Sequence, residues 1–122
     1  MILDKIVATV RDTLEIRRKE RSLESVRDAA AEGAETRDFR GALEAEECAV
    51  IAEIKRSSPS AGRILEDFNP PQLAGIYERA GAAALSVLTE ERYFEGKLSH
   101  LAASRDNTSI PVLRKDFIID FY

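Results

Sequence analysis

The sequence predicts an α/β fold with parallel strands, and three observations support this class. Three short segments rich in apolar residues have the character of strands: AVIAEI (49–54), AALSVL (83–88) and IPVLRKDF (110–117). The first, AVIAEI, has the signature of a strand that is covered on both faces. Two segments that are predicted to be helical lie between them. Strands that alternate with helices in this order call for a parallel sheet with right-handed crossovers.

Length and composition indicate a single globular domain. The chain has 122 residues, of which 44% are hydrophobic and 33% are charged, which is enough for one modest core. The longest apolar stretch, 80–88, is far shorter than the ~20 residues of a membrane span. The start, MILDKIVATV, has acidic and basic residues among its apolar ones, so we expect no signal peptide.

The rare residue types and the net charge argue against several functions. One cysteine excludes an internal disulfide and one histidine argues against a metal cluster, so we expect a cytoplasmic protein without metal. We interpret Cys48 as an inert buried thiol and His100 as a packing or surface residue. A formal charge of −4 argues against nucleic-acid binding. The basic run at 17–21 is interpreted as the solvated end of a helix.

The first 47 residues are predicted to form a helical extension. Apolar residues recur every three or four positions from Ile2 to Leu14, as on one face of a helix. Ser22 is placed to cap a second helix, which Gly33 would end. We therefore divide the chain into this extension (1–47) and a strand-containing part (48–122).

The two segments between the strands are predicted to be helices, and the first has clear boundaries. In NPPQLAGIYERAG, Asn69 is suited to the N-cap, Pro70 to the first helical position and Gly81 to the end. KLSHLAASR (97–105) is predicted to be the second of these helices.

Charged residues stand where the strands end. The long connections 55–68 and 89–96 follow strands, at the edge where α/β folds place their sites. Glu53 and Lys55 are two residues apart and share one face of the first strand, and Lys115 stands at the same end of the third. A lysine beside a carboxylate can donate a proton or bind an anion. The alternative is that all three are surface charges.

The two long loops contain further candidate binding groups. SSPSAG offers hydroxyl and backbone N–H groups to an anion, with charge from Lys55, Arg56 and Arg63, although ordinary turns have the same composition. Tyr93, Phe94 and, after the third strand, Phe117 are suited to wall an aromatic substrate, or else to plain core packing.

Four motifs in order resemble one family. IAEIKRSSPSAG, DFNP, SVLTEERYFEGKL and IPVLRKDFIIDFY are similar to indole-3-glycerol phosphate synthase, a (βα)₈-barrel family of tryptophan biosynthesis. The resemblance covers the whole chain and includes the helices before the first strand. It implies a partial TIM barrel of three parallel strands with crossover helices and an N-terminal helical extension.

The resemblance also implies a reaction and roles. The family closes the indole ring of 1-(o-carboxyphenylamino)-1-deoxyribulose 5-phosphate, with loss of carbon dioxide and water and without a cofactor. Lys115 would be the general acid, Glu53 its partner, and Lys55 the group that holds the substrate carboxylate. The implied substrate-binding residues are Ser58, Phe94 and Phe117. The pattern departs from the family at Ala61 and Phe121, where lysine and proline are common.

Length sets a further expectation. A TIM barrel takes about 250 residues, so the chain is expected to be a fragment that ends after the third strand. The family's second catalytic glutamate, its asparagine and its phosphate-binding loops would lie outside it, and the isolated chain is expected to be inactive. Self-association through open sheet edges, or complementation by a carboxyl-terminal half, would cover its exposed faces. The alternatives are a non-catalytic self-assembling module and another phosphosugar barrel enzyme.

Overall fold

The computed structural model describes all 122 residues, which form two compact units. The first unit comprises residues 1–35 and 117–122, and the second comprises residues 36–116. No helix in the chain is both long enough and apolar enough to cross a membrane.

The first unit consists of two helices and the C-terminal segment. Helix α1 spans Ile2–Glu20 and helix α2 spans Leu23–Ala31, and the Ser22 hydroxyl accepts the Ser25 N–H at 3.1 Å as the predicted N-cap. The basic run forms the last turn of α1, as predicted. Tyr122 Oη lies 2.8 and 2.7 Å from the carbonyl oxygens of Arg17 and Arg21. The C-terminal segment therefore contacts the end of α1, where the Arg17 carbonyl oxygen also accepts the Arg21 N–H.

The second unit is built on a three-stranded parallel sheet, as the sequence predicted. After helix α3 (Phe39–Glu44), its strands and helices follow in the order β1 (Ile51–Ile54), β2 (Ser57–Ser58), β3 (Gly62–Arg63), α4 (Pro70–Arg79), β4 (Ala84–Leu88), α5 (Leu98–Asp106) and β5 (Val112–Lys115). The sheet order is β1-β4-β5, and both pairs of neighbours are parallel. Each pair is joined through one helix, α4 or α5, which confirms the βαβαβ prediction.

The boundaries of α4 follow the predicted signals. Asn69 Oδ1 accepts the Gln72 N–H at 3.1 Å, Pro70 opens the helix, and Gly81 follows its end at φ +94°. That backbone angle favours glycine because a Cβ atom makes it costly.

The core of the second unit centres on β4, which is buried along its whole length. Its fully buried side chains are Ile54, Ala74, Leu85 and Val87. The prediction that β1 is covered on both faces is wrong, because Ile51 is 45% exposed. Leu113 of β5 is equally exposed. The two outer strands thus present one face of the sheet to solvent.

The structure adds one element that was not predicted and corrects one further prediction. The first long loop contains a small antiparallel hairpin of β2 and β3, with Ser57 opposite Arg63 and Gly62 at φ +66° in its turn. Cys48 is exposed rather than buried, because it lies in the turn that precedes β1.

Candidate active site

Glu53 lies between two lysines at the carboxyl edge of the sheet. Nζ of Lys115 is 2.8 Å from its Oε2, and Nζ of Lys55 is 3.1 Å from its Oε1. Glu53 and Lys55 come from the end of β1 and the residue that follows it, whereas Lys115 ends β5. The structure therefore brings the three predicted charges together instead of splaying them apart.

Strand geometry explains how residues on two outer strands meet. β4 lies between β1 and β5. Neighbouring strands are about 4.8 Å apart, so the backbones of β1 and β5 are about 9.6 Å apart. In the register, Glu53 and Leu113 lie on either side of Ser86, and Lys115 is opposite Leu88. The long lysine side chain crosses over β4 and meets the glutamate side chain, which spans the rest of the distance.

The carboxylate of Glu53 has a lowered pKa. Partial burial would raise this pKa, but the hydrogen bonds and positive charges of Lys115 and Lys55 outweigh that effect. The Glu53 side chain is 29% exposed and that of Lys115 is 55% exposed. The cluster thus keeps its carboxylate ionised and leaves the Lys115 ammonium accessible to a ligand.

Ser86 is a neighbour of Glu53 that the sequence analysis missed. Its hydroxyl, buried in the middle of β4, lies 3.5 Å from Glu53 Oε2. A single hydroxyl inside an otherwise apolar strand was the available signal, and only the strand register shows that it faces the carboxylate.

Ser58 and the arginines of the first loop are engaged within the protein. The Ser58 hydroxyl accepts the Ala61 N–H at 3.1 Å and so closes the hairpin turn. Arg63 donates two hydrogen bonds to Glu95, at 3.1 and 2.7 Å, and Arg56 Nε lies 3.9 Å from the same carboxylate. The positive charge predicted for an anion cradle is therefore partly balanced by Glu95, which the sequence analysis did not single out.

The second loop is organised by Glu90, another residue that was missed. Its buried carboxylate accepts the backbone N–H groups of Arg92, Tyr93 and Phe94 at 2.7 to 3.2 Å. Glu95 follows with a positive φ of 52°. The loop that carries Phe94 is thus fixed by its own hydrogen bonds. An acidic pair directly after a strand resembles solvated charge, so the pattern gave no clear signal.

The aromatic candidates and His100 are placed as follows. Tyr93 and Phe94 are half-buried in the second unit, and Phe117 is half-buried in the first. His100 packs edge-on against Phe68, with ring centroids 5.3 Å apart, so it is the packing residue that was expected. The binding roles of Ser58, Phe94 and Phe117 stay predictions.

The parallel sheet and its connecting helices define an α/β protein. Its lysine–glutamate cluster lies at the carboxyl ends of the strands, where α/β enzymes bind substrates. The family model for indole-3-glycerol phosphate synthase matches residues 3–122. The chain belongs to this family.

Curated relatives agree with the family match. Proteins named indole-3-glycerol phosphate synthase from Laribacter hongkongensis and Neisseria meningitidis are each 49% identical to the chain over 125 residues. The protein of that name from Leptothrix cholodnii is 46% identical. Each alignment covers 99% of this chain and 48% of the relative. The chain thus spans about half the length of the curated relatives it matches, which agrees with the fragment expected from its length.

Proposed function

We propose that this chain supplies the first three strands of an indole-3-glycerol phosphate synthase barrel, with residues 1–47 as its helical extension and 48–122 as its partial barrel. The proposed reaction closes the indole ring of 1-(o-carboxyphenylamino)-1-deoxyribulose 5-phosphate. The observation that carries the proposal is the position of the Glu53 carboxylate between Lys55 and Lys115.

Lys115 is the proposed general acid. As the ring carbon bonds to the sugar ketone carbon, the ketone oxygen takes up a proton, and an exposed ammonium at the strand end is suited to donate it. Carbon dioxide then leaves and returns its bonding electrons to the ring. Lys115, reprotonated from solvent, then gives the hydroxyl a second proton so that it departs as water. The proton lost from the neighbouring sugar carbon goes to a base, a role the family gives to a glutamate outside this chain.

Glu53 and Lys55 have supporting roles in this proposal. Glu53 holds the Lys115 ammonium through a charge-assisted hydrogen bond of 2.8 Å. Lys55 is close enough to the same carboxylate to share its charge, and its ammonium would attract the substrate carboxylate. Ser58 would contribute a hydroxyl, and Phe94 and Phe117 would enclose the aromatic ring.

The open face of the sheet favours a second property, association with further strands. Two large apolar residues on this face, Ile51 and Leu113, are each 45% exposed in the second unit. β1 and β5 are the outer strands, and each has one edge without a strand partner. We propose that these edges pair either with the remaining strands of a barrel or with a second copy of the chain. The second alternative describes a non-catalytic self-assembling module.

An activity assay with three samples tests these proposals. The samples are the chain alone, the chain mixed with the carboxyl-terminal half of the Laribacter hongkongensis relative, and the two segments fused. We expect indole-3-glycerol phosphate from the fusion and no turnover by the chain alone. The carboxyl-terminal half alone and a Lys19→Ala fusion are the controls, because Lys19 is exposed on α1.

Three outcomes distinguish the proposed functions. A folded fusion without turnover would contradict the enzymatic proposal, and turnover of a different phosphosugar would assign the chain to another barrel enzyme. Assembly of the chain with itself but never with the carboxyl-terminal half would support the non-catalytic self-assembling module.

The cytoplasmic location expected from the sequence stays a prediction.

A further inference from the structure

A partly buried polar cluster lies at the carboxyl ends of β4 and β5, on the side of the sheet opposite Glu53. The Thr89 hydroxyl donates to Asp116 Oδ2 at 2.6 Å and accepts from Arg114 Nε at 3.2 Å. Arg114 also donates to Asp116 Oδ2 at 2.9 Å. Each of the three side chains therefore contacts the other two.

This cluster surrounds the backbone of Lys115. Arg114 and Asp116 are its two neighbours in sequence, and both are bound by the one Thr89 side chain. The backbone N–H of Thr89 also donates to the carbonyl oxygen of Lys115, at 3.2 Å. The last residue of β5 is thus held to β4 by main-chain and side-chain hydrogen bonds together.

Burial of Thr89 and Asp116 strengthens the hydrogen bond between them, whereas the Arg114 side chain is 37% exposed. Thr89 is 1% exposed, and the Asp116 side chain is 11% exposed. Charge-assisted hydrogen bonds gain strength where solvent is excluded, since the local dielectric constant is low. Strand ends otherwise tend to fray, because few contacts hold their last residues.

We propose that Thr89 and Asp116 are positioning residues for Lys115, which fix its backbone so that its ammonium reaches Glu53. Neither side chain is on the face of the sheet that carries the lysine–glutamate cluster, so neither is proposed to touch substrate. The inference rests on the proposed function, since it concerns the lysine assigned as general acid.

The physical need for such anchoring follows from the length of the lysine side chain. The ammonium crosses β4 on a flexible four-carbon stem, so a shift of the backbone moves it away from the carboxylate. A displacement of about 1 Å at a catalytic group can reduce a rate by about a hundredfold. When the backbone is fixed, only rotations within the lysine side chain can move the ammonium.

The pKa of Glu53, measured by carbon-13 NMR titration of the 122-residue chain, reports on this geometry without any need for turnover. Thr89→Val removes the hydroxyl but changes no charge, and Thr89→Ser restores a hydroxyl. We expect Thr89→Val to raise the Glu53 pKa toward its ordinary value of about 4.3, because the contact with Lys115 weakens. Thr89→Ser should leave the pKa near that of the parent chain.

Asp116→Asn separates positioning from simple electrostatics by the sign of the shift. Removing a nearby negative charge would by itself lower the Glu53 pKa, whereas loss of the Lys115 contact raises it. We expect a rise. Glu78→Gln is the matched control, because Glu78 accepts hydrogen bonds from the Ser109 N–H and hydroxyl beyond the amino end of β5. It should leave the Glu53 pKa unchanged.

Lys115→Ala distinguishes failure of this inference from failure of the proposed function. If Lys115→Ala raises the Glu53 pKa but Thr89→Val and Asp116→Asn do not, the positioning role is overturned while the lysine–glutamate pair stands. If Lys115→Ala leaves the Glu53 pKa unchanged, the pair itself is absent and the proposed function loses the observation that carries it.

Discussion

Nζ of Lys115 lies 2.8 Å from Oε2 of Glu53, although the two residues are 62 positions apart and belong to the two outer strands of the sheet. The contact exists because both side chains project from the same face of the sheet and meet above β4. It places an exposed ammonium next to an ionised carboxylate at the edge where α/β folds bind their ligands.

The lysine contacts of Glu53 predict an acid-sensitive contribution to stability. The folded-state pKa of Glu53 lies below its unfolded value of about 4.3, so its stabilisation is present above about pH 5 and is lost as pH falls through the folded-state pKa. We expect Glu53→Gln to reduce the free energy of unfolding at pH 7 by about 1 kcal/mol or less, since the pair is partly exposed. The difference from the parent chain should disappear once the pH lies below the folded-state pKa. Urea unfolding at several pH values measures both effects, and a difference that does not change with pH would contradict the prediction.

The lowered pKa of His100 predicts a second pH dependence of stability, at a higher pH than that of Glu53. Burial lowers its pKa, and the positive charges of Lys97 and Arg56 lower it further. Because the folded-state pKa is below the unfolded value of about 6.5, stability should decrease as pH falls from about 7 toward the folded-state pKa. His100→Gln should remove this part of the decrease. The chain has one histidine, so a single imidazole resonance reports the pKa by NMR, and a value of 6.5 or higher would refute the assignment.

Replacement of Gly96 by a larger residue is predicted to cause a strong steric clash. A Cβ atom at this position would lie 2.5 Å from the Leu88 carbonyl oxygen and 2.8 Å from the backbone of Thr89, and neither group can move without disturbing β4. We expect Gly96→Ala to lower the free energy of unfolding by about 1 to 3 kcal/mol.

Gly75→Ala is the matched control for that substitution. Gly75 lies inside helix α4, where a Cβ atom would meet the flexible end of Arg79 at 3.1 Å. Alanine in a helix interior is favoured over glycine by roughly 0.5 to 1 kcal/mol, so this variant should be neutral or more stable. Equal destabilisation by both variants in urea unfolding would show that the packing around Gly96 is not the cause.

The exposed apolar face predicts association that a charge can prevent. Leu113 is 45% exposed on the outer strand β5, and a lysine in such a position opposes edge pairing. We expect light scattering to give a mass above 13.6 kDa for the parent chain and a lower mass for Leu113→Lys. A parent chain that stays monomeric with a sharp unfolding transition would contradict self-association.

The sequence was sufficient to predict local structure at well-marked positions. Apolar runs located the strands, and Asn69, Pro70 and Gly81 marked the limits of α4 because each satisfies a local backbone requirement. The shared face of Glu53 and Lys55 followed from the two-residue period of a strand.

What the sequence could not specify depends on contacts between distant segments. That Lys115 reaches Glu53 requires the order β1-β4-β5, which no local pattern determines. Glu90 and Glu95 had the composition of a solvated loop, and their roles appear only through hydrogen bonds to the backbone and to Arg63. The exposure of Ile51 was missed because apolar composition does not show whether another part of the protein covers a strand.

The central claim is that Lys115 acts as the general acid, and the turnover number of the fused barrel with Lys115→Gln tests it most directly. Loss of general acid catalysis typically lowers a rate by about 10² to 10⁴-fold. We predict a decrease in kcat within that range for formation of indole-3-glycerol phosphate, with the folded state retained. A folded Lys115→Gln fusion with the kcat of the parent fusion would contradict the account.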